Sequence, residues 1–157
     1  MSYLGTTGEV TARWRPVDEI TVLDRPKTSA HFVAPGSTTN GQYGMFRWDM
    51  APGASGPRPH FHRTFSESFY ILDGAVRLFD GERWVTATAG DFLYVPEGGV
   101  HAFGNESDEP ASMLILFAPG PPREDFFVEL AERVESGREF SAEDWTEFYA
   151  RHDQYHV

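Results

Sequence analysis

From residue 20 to residue 118 the chain consists of short apolar or alternating runs separated by turn residues, the spacing of an all-β barrel or sandwich. The runs predict strands over 20–24, 30–34, 42–50, 59–63, 67–72, 75–79, 83–88, 92–95, 101–104 and 112–118. Asp80-Gly81, between Arg77-Leu78-Phe79 and Arg83-Trp84-Val85, predicts a two-residue hairpin turn, since both residues tolerate positive φ. Asp73-Gly74 is a second break of the same kind.

Beyond Pro119-Gly120-Pro121-Pro122 the period becomes helical. Phe126, Phe127, Leu130, Ala131 and Val134 fall on one stripe that Gly137 can terminate, which predicts a helix over 123–136. Ser141 and Asp144 form a capping box, and Trp145, Phe148, Tyr149 and His152 recur at helical spacing after it, so a second, shorter helix follows. Neither helix can bury its aromatic stripe alone, and both are expected to pack on the strands or on a second subunit. With no internal repeat and no linker, residues 1–157 read as one domain: a β core over about 20–118 and a helical extension over about 123–152.

Composition narrows the chemistry. The chain has 157 residues with 13 basic and 24 acidic side chains, a net charge of −11, and Lys27 is its only lysine, so no cationic face exists for a nucleic-acid backbone. There is no cysteine, hence no disulfide, thiolate metal site or thiol nucleophile, and reactive groups must be oxygen or imidazole nitrogen. Residues 1–10 lack the basic start and apolar stretch of a secretory signal, and the longest apolar run, 113–118, is far short of the ~20 residues a membrane helix needs. The expectation is a cytoplasmic protein without membrane or nucleic-acid partners.

Pro59-His60-Phe61-His62 sets two imidazoles two residues apart, which on a strand face the same side. Glu67 opens the apolar run Ser68-Phe69-Tyr70-Ile71-Leu72, an expensive place for a carboxylate unless its charge is compensated. A third histidine, His101, leaves the Pro/Gly turn Pro96-Glu97-Gly98-Gly99-Val100 into another strand-like run. Three neutral imidazoles and one carboxylate suit one divalent transition ion such as Fe, Mn, Ni, Cu or Zn rather than Ca or Mg.

These residues resemble the motifs of the cupin superfamily. The first motif, a glycine, then H-x-H, a short gap, E and G, is similar to His60, His62, Glu67 and Gly74; the second, G-x5-P-x-G-x2-H-x3-N, is similar to Gly90, Pro96, Gly98, His101 and Asn105. One departure is visible: the opening glycine of the first motif falls on Ala54, with Gly53 one place early. The resemblance implies a single jelly-roll β-barrel of a small single-domain cupin, with His60, His62, Glu67 and His101 as metal ligands. It also implies a compact hairpin over 75–89 between the motifs and a homodimer.

Pro96 and the glycines read as turn formers, and Asn105 as a residue that fixes a turn by bonding to backbone. His31, His152 and His156 match neither motif and read as surface or packing residues, with residues 151–156 expected to fray. Phe69 and Ile71 share the side of Glu67, and Phe103 that of His101, so an aromatic-lined cavity for a small-molecule substrate is expected. On 113–117 either Met113, Ile115 and Phe117 or the intervening leucines face it. The leading expectation is a metal-dependent oxidoreductase, dioxygenase-like and similar to quercetinase-like cupins, acting on an enol, phenol or flavonoid-type substrate with Glu67 as catalytic proton acceptor. The alternatives are a metal-assisted isomerase, cyclase or decarboxylase, a small-ligand-binding module, or a structural zinc staple.

Overall fold

The structure is a computed structural model, and it describes residues 2–157. Eleven strands and two helices follow a lead-in that contains a single 3₁₀ turn at Val17–Glu19. The strands are β1 (Val22–Asp24), β2 (Thr28–Ala34), β3 (Gly44–Met50), β4 (His60–Phe61), β5 (Ser66–Asp73), β6 (Ala75–Phe79), β7 (Trp84–Thr88), β8 (Phe92–Val95), β9 (Ala102–Gly104), β10 (Ala111–Ala118) and β11 (Tyr155–His156). The helices are α1 (Arg123–Glu135) and α2 (Ala142–Arg151).

All pairings are antiparallel. One sheet runs β1-β2-β3-β10-β5-β8, a second β7-β6-β9, and β11 pairs with β4. The ladders do not join into a closed ring, so the architecture is a jelly-roll sandwich rather than a sealed barrel. Gly74 carries the chain from one sheet to the other: its φ is +72°, and a Cβ there would lie 2.3 Å from the Pro110 carbonyl oxygen, so only glycine fits.

Alternation decides what the sandwich buries. Phe69 and Ile71 of β5, Val76 and Leu78 of β6, and Met113, Ile115 and Phe117 of β10 point inward, which settles the face of 113–117 in favour of the Met/Ile/Phe set. Register explains why: Ile115 stands opposite both Phe46 of β3 and Phe69 of β5, so the inward residues of three strands form one layer. The helices pack on the chain's own strands. Phe127 meets Phe46 at 5.3 Å and Trp48 at 5.2 Å between ring centroids, and Phe126 stacks on Phe148 of α2 at 5.8 Å. The Ser141/Asp144 capping box is present, with Asp144 N–H donating to Ser141 Oγ at 3.1 Å and Ser141 N–H to Asp144 Oδ2 at 2.8 Å.

Several expectations need correction. The Asp80-Gly81 hairpin is real, but its turn is centred one residue later, on Gly81-Glu82, because the Asp80 carboxylate accepts from the Glu82 and Arg83 N–H groups and closes the turn. The strand expected over 59–63 shrinks to His60–Phe61: Pro59 has no N–H to give, and residues 63 and 64 turn away to bond Asp153. The tail is not frayed, since β11 pairs Tyr155 with Phe61 and His156 with His60.

Candidate metal centre and its cavity

His60, His62, Glu67 and His101 are all buried, and their donor atoms lie within 4.8 Å of one another. That spread is close to the ~4.2 Å between donors on opposite sides of one ion with ~2.1 Å bonds. β4 supplies His60, and His62 follows directly. Glu67 comes from β5, and His101 lies at the entry to β9, where reciprocal backbone hydrogen bonds of 3.0 and 2.9 Å join it to His60. Gly98, at φ +80°, donates its N–H to the His62 carbonyl at 2.7 Å, so the Pro/Gly turn fastens the second motif to the first.

Each imidazole is oriented by a backbone carbonyl. Nδ1 of His60 meets Arg58 O at 2.8 Å, Nδ1 of His62 meets Asp153 O at 2.6 Å, and Nδ1 of His101 meets Gly99 O at 3.0 Å. A carbonyl oxygen only accepts, so Nδ1 carries the proton and Nε2 presents a lone pair. Nε2 of His62 and of His101 both approach Glu67 Oε2, at 3.0 and 2.8 Å. Lone pairs aimed at one carboxylate oxygen require positive charge among them, from an imidazolium proton or a cation. The donor set therefore fits a divalent ion.

The electrostatics show the same demand for positive charge. Burial pushes the Glu67 carboxyl up, but the charge of His101 and the hydrogen bonds from both histidines outweigh it and hold the group well below the usual carboxylate range. Burial lowers His101, yet Glu67 beside it raises it above the ordinary 6.5. His60 is pulled down to about 3 by burial and by the neighbouring imidazole of His101, and so stays neutral.

A cavity of about 380 Å³ opens on this cluster. His60 and Glu67 line it together with Trp48, Phe103, Ile115, Phe117, Phe126 and Phe127; the lining is aromatic as expected, but of Phe69, Ile71 and Phe103 only Phe103 contributes, and α1 supplies Phe126 and Phe127. Phe69 lies behind, 5.7 Å from Phe103 and 5.9 Å from the His101 ring. Asn105 is buried outside the donor cluster. Its Nδ2 donates to the carbonyls of Ala51 (3.1 Å) and Glu109 (2.7 Å), its Oδ1 accepts from Ser107, and its N–H bonds Ala54 O. The left-handed residue of that neighbouring loop is Gly53 (φ +66°), so the glycine one place early serves the loop while Ala54 is buried.

The C-terminal tail contributes what local sequence patterns missed. His156 is a packing residue, 5.7 Å from the His60 ring, and with Gln154 and Tyr149 it also lines the cavity. His152 is half-buried against Glu129 (3.4 Å), and His31, remote from the cluster, pairs with Asp49 at 2.9 Å. Asp153 supplies the carbonyl for His62, while its carboxylate accepts from Arg63 N–H (3.1 Å), Thr64 N–H (2.8 Å) and Thr64 Oγ–H (2.7 Å). It does so at φ +53°, a conformation asparagine and aspartate tolerate best. Asp153→Ala is expected to cost about 2 kcal/mol in chemical denaturation and to weaken metal retention, whereas Asp153→Asn keeps most of both. An alanine variant as stable as the parent would contradict the clamp.

Arg123, the first residue of α1, also reaches the cavity. It is 4% exposed, its Nη1 donates to His152 O at 3.0 Å and its Nη2 to Gln154 Oε1 at 3.1 Å, and it lies over the Phe126 ring at 4.0 Å. Burial lowers it to about 10, opposed by Glu67 and Asp153, so it remains cationic at neutral pH.

Residues 46–117 match the cupin domain model. Quercetin 2,3-dioxygenase of Bacillus subtilis (strain 168) is 31% identical over 90 residues, covering 56% of this chain and 26% of that protein. Germin-like protein 5-1 of Oryza sativa subsp. japonica is 37% identical over 95 residues, covering 56% and 40%. The chain thus spans well under half the length of these curated relatives. Among solved structures, KdgF from Halomonas sp. superposes with a TM-score of 0.63 at 19% identity, covering 73% of this chain and 99% of the other. The matched motifs, the jelly-roll sandwich and the superposition agree: residues 46–117 match the cupin domain, and the strands around them have the cupin fold.

Proposed function

We propose that the protein is a metal-dependent small-molecule oxidoreductase of dioxygenase-like type, acting on an enol, phenol or flavonoid-type substrate. The observation that carries this reading is the convergence of three carbonyl-anchored imidazoles and one buried carboxylate on an aromatic-lined cavity. His60, His62, Glu67 and His101 would hold one divalent transition ion, whose chemistry is to bind a deprotonated substrate oxygen and pass electrons to dioxygen. The backbone carbonyls keep the three Nε2 atoms aimed at one point. Trp48, Phe103, Phe117 and Phe127 exclude water and offer flat faces to an aromatic substrate. Both histidine contacts fall on Glu67 Oε2, leaving Oε1 as the oxygen that accepts a proton from a substrate hydroxyl.

The test is metal analysis of protein purified without affinity-tag metal or chelator, followed by oxygen uptake with flavonols, catechols and diketones. Uptake that requires the metal and places oxygen in the product supports the reading; turnover with zinc alone and without oxygen would instead establish an isomerase, cyclase or decarboxylase.

Metal affinity should depend on pH through His101. A proton and a metal compete for Nε2, so affinity falls as pH drops through the raised His101 value, above 6.5, by about tenfold per pH unit for one displaced proton. His60, neutral down to about pH 3, adds no competition in this range. Without metal the signs are distinct. The His101 contribution to folding is complete at low pH and lost as pH rises through its raised value, whereas that of Glu67 is present above the ordinary carboxylate range and lost as pH falls through its lowered one. Metal titrations from mildly alkaline to mildly acid pH check this, and flat occupancy would count against histidine ligation.

The working form in this proposal is a cytoplasmic homodimer. Outward positions of the six-stranded sheet join Tyr70 to Phe92 and Leu114 across neighbouring strands, an apolar band that a second copy would cover. Sedimentation at twice the 17.7 kDa chain mass is the expected result. Among the described residues no helix is long and apolar enough to cross a membrane.

A further inference from the structure

We propose that Arg123 is a substrate-anchoring residue, and that the cavity takes a small molecule with a carboxylate at one end and an enol or phenol oxygen at the other. The inference rests on the metal-centre reading above and narrows its substrate class.

Four observations carry it. Arg123 is buried, and the hydrogen bonds of its side chain go to two neutral acceptors, the His152 carbonyl and the Gln154 side-chain oxygen. No carboxylate lies within ion-pair distance of it among the described residues. Its Nε is buried without a hydrogen-bond partner. And it lines the same cavity as His60 and Glu67.

A buried guanidinium with no carboxylate in direct contact is costly, since Glu67 and Asp153 act on it only from beyond ion-pair distance, and replacing such a group by an apolar one is often neutral or stabilising for folding alone. Clamping the tail accounts for the Nη groups but leaves Nε unexplained. The four surrounding phenyl rings, Phe126 at 4.0 Å and Phe117, Phe65 and Phe127 between 5.3 and 5.6 Å, offset part of the cost without supplying a hydrogen-bond acceptor. Nε with the adjacent Nη edge forms a planar fork, and a carboxylate is the oxyanion that matches it with two parallel hydrogen bonds. Charge counting agrees: beside Glu67 the cavity lining carries Arg25, which pairs with Glu135, and Arg58 and Arg123, which have no carboxylate in ion-pair contact among the described residues, so with a divalent ion the cavity has a net positive charge that an anionic substrate neutralises. Arg123 touches the non-reacting end of the substrate, so it governs binding and orientation.

The probes are 3,4-dihydroxybenzoate and catechol, which share the phenolic end and differ in the carboxylate. Binding is measured calorimetrically on zinc-loaded full-length protein, where no oxygen chemistry intervenes, with wild type, Arg123→Gln and Arg123→Lys. Wild type is expected to bind the carboxylated probe at least tenfold more tightly. With each variant compared at equal zinc loading, Arg123→Gln should lower affinity for the carboxylated probe at least tenfold more than affinity for catechol, and Arg123→Lys should restore part of the preference.

Equal binding of the two probes by wild type overturns the inference, and this holds even if a variant fails to fold. A preference that survives in Arg123→Gln overturns it as well, as does a parallel loss for both probes together with a lower melting temperature, which marks a purely structural clamp. Failure of the dioxygenase reading is separately visible: the zinc-form preference would stand while oxygen uptake was absent.

Discussion

His62→Ala is expected to strip most of the bound metal from the purified protein. His62 contributes one of four converging donors, and its loss leaves His60 and His101 with a carboxylate whose charge is then poorly compensated. Outer partners of metal ligands are typically worth about 10–100-fold in affinity, so removal of a ligand itself should cost more. The variant also frees the Asp153 carbonyl, which loses its Nδ1–H partner, and so loosens the turn that brings β11 onto β4. Metal content by elemental analysis, set beside His31→Ala, is the measurement. His31 pairs with Asp49 away from the cluster, so that variant should keep its metal. Equal metal in the two variants would remove the basis for assigning the site.

The second large effect is on stability. Phe46 is fully buried at the junction of sheet and helix, 5.6 Å from Phe32, 5.7 Å from Phe117 and 5.3 Å from Phe127. Phe46→Ala removes a whole ring from a packed cluster that cannot collapse around the void, which costs about 3–5 kcal/mol. Against a total of about 5–15 kcal/mol for a typical domain, that is a large fraction. The same void lies under α1, so Arg123 should lose its fixed position over Phe126 as well. Chemical denaturation of Phe46→Ala beside Trp14→Ala checks the assignment, since Trp14 is 87% exposed and its loss should stay within about 0.5 kcal/mol. A Phe46→Ala variant within 1 kcal/mol of the parent would show that the aromatic cluster is not the core.

Both effects trace to features of different legibility. The His60/His62 pair, the isolated Glu67 and the turn before His101 stand out locally, because a charge in an apolar run and two imidazoles at strand spacing each break the surrounding pattern. Arg123 gives no such signal: one arginine after two prolines looks like an ordinary helix start, and only the helix's placement over the sandwich buries it. The tail was misleading for a similar reason. Residues 151–156 lie next to a chain end, which is the reason to expect fraying there. Their order comes from Asp153 bonding residues 63 and 64 and from β11 adding to β4.

By itself, then, the amino-acid order determined the β character of residues 20–118, the two helices, the capping box and the identity of the candidate donors, since these follow from periods and spacings within a few residues. Tertiary structure alone decided that Met113, Ile115 and Phe117 face inward, that the tail orients His62, and that Arg123 and His156 line the cavity. Those outcomes depend on register between strands and on pairings such as His62 with Asp153, 91 positions apart, where no local period carries information.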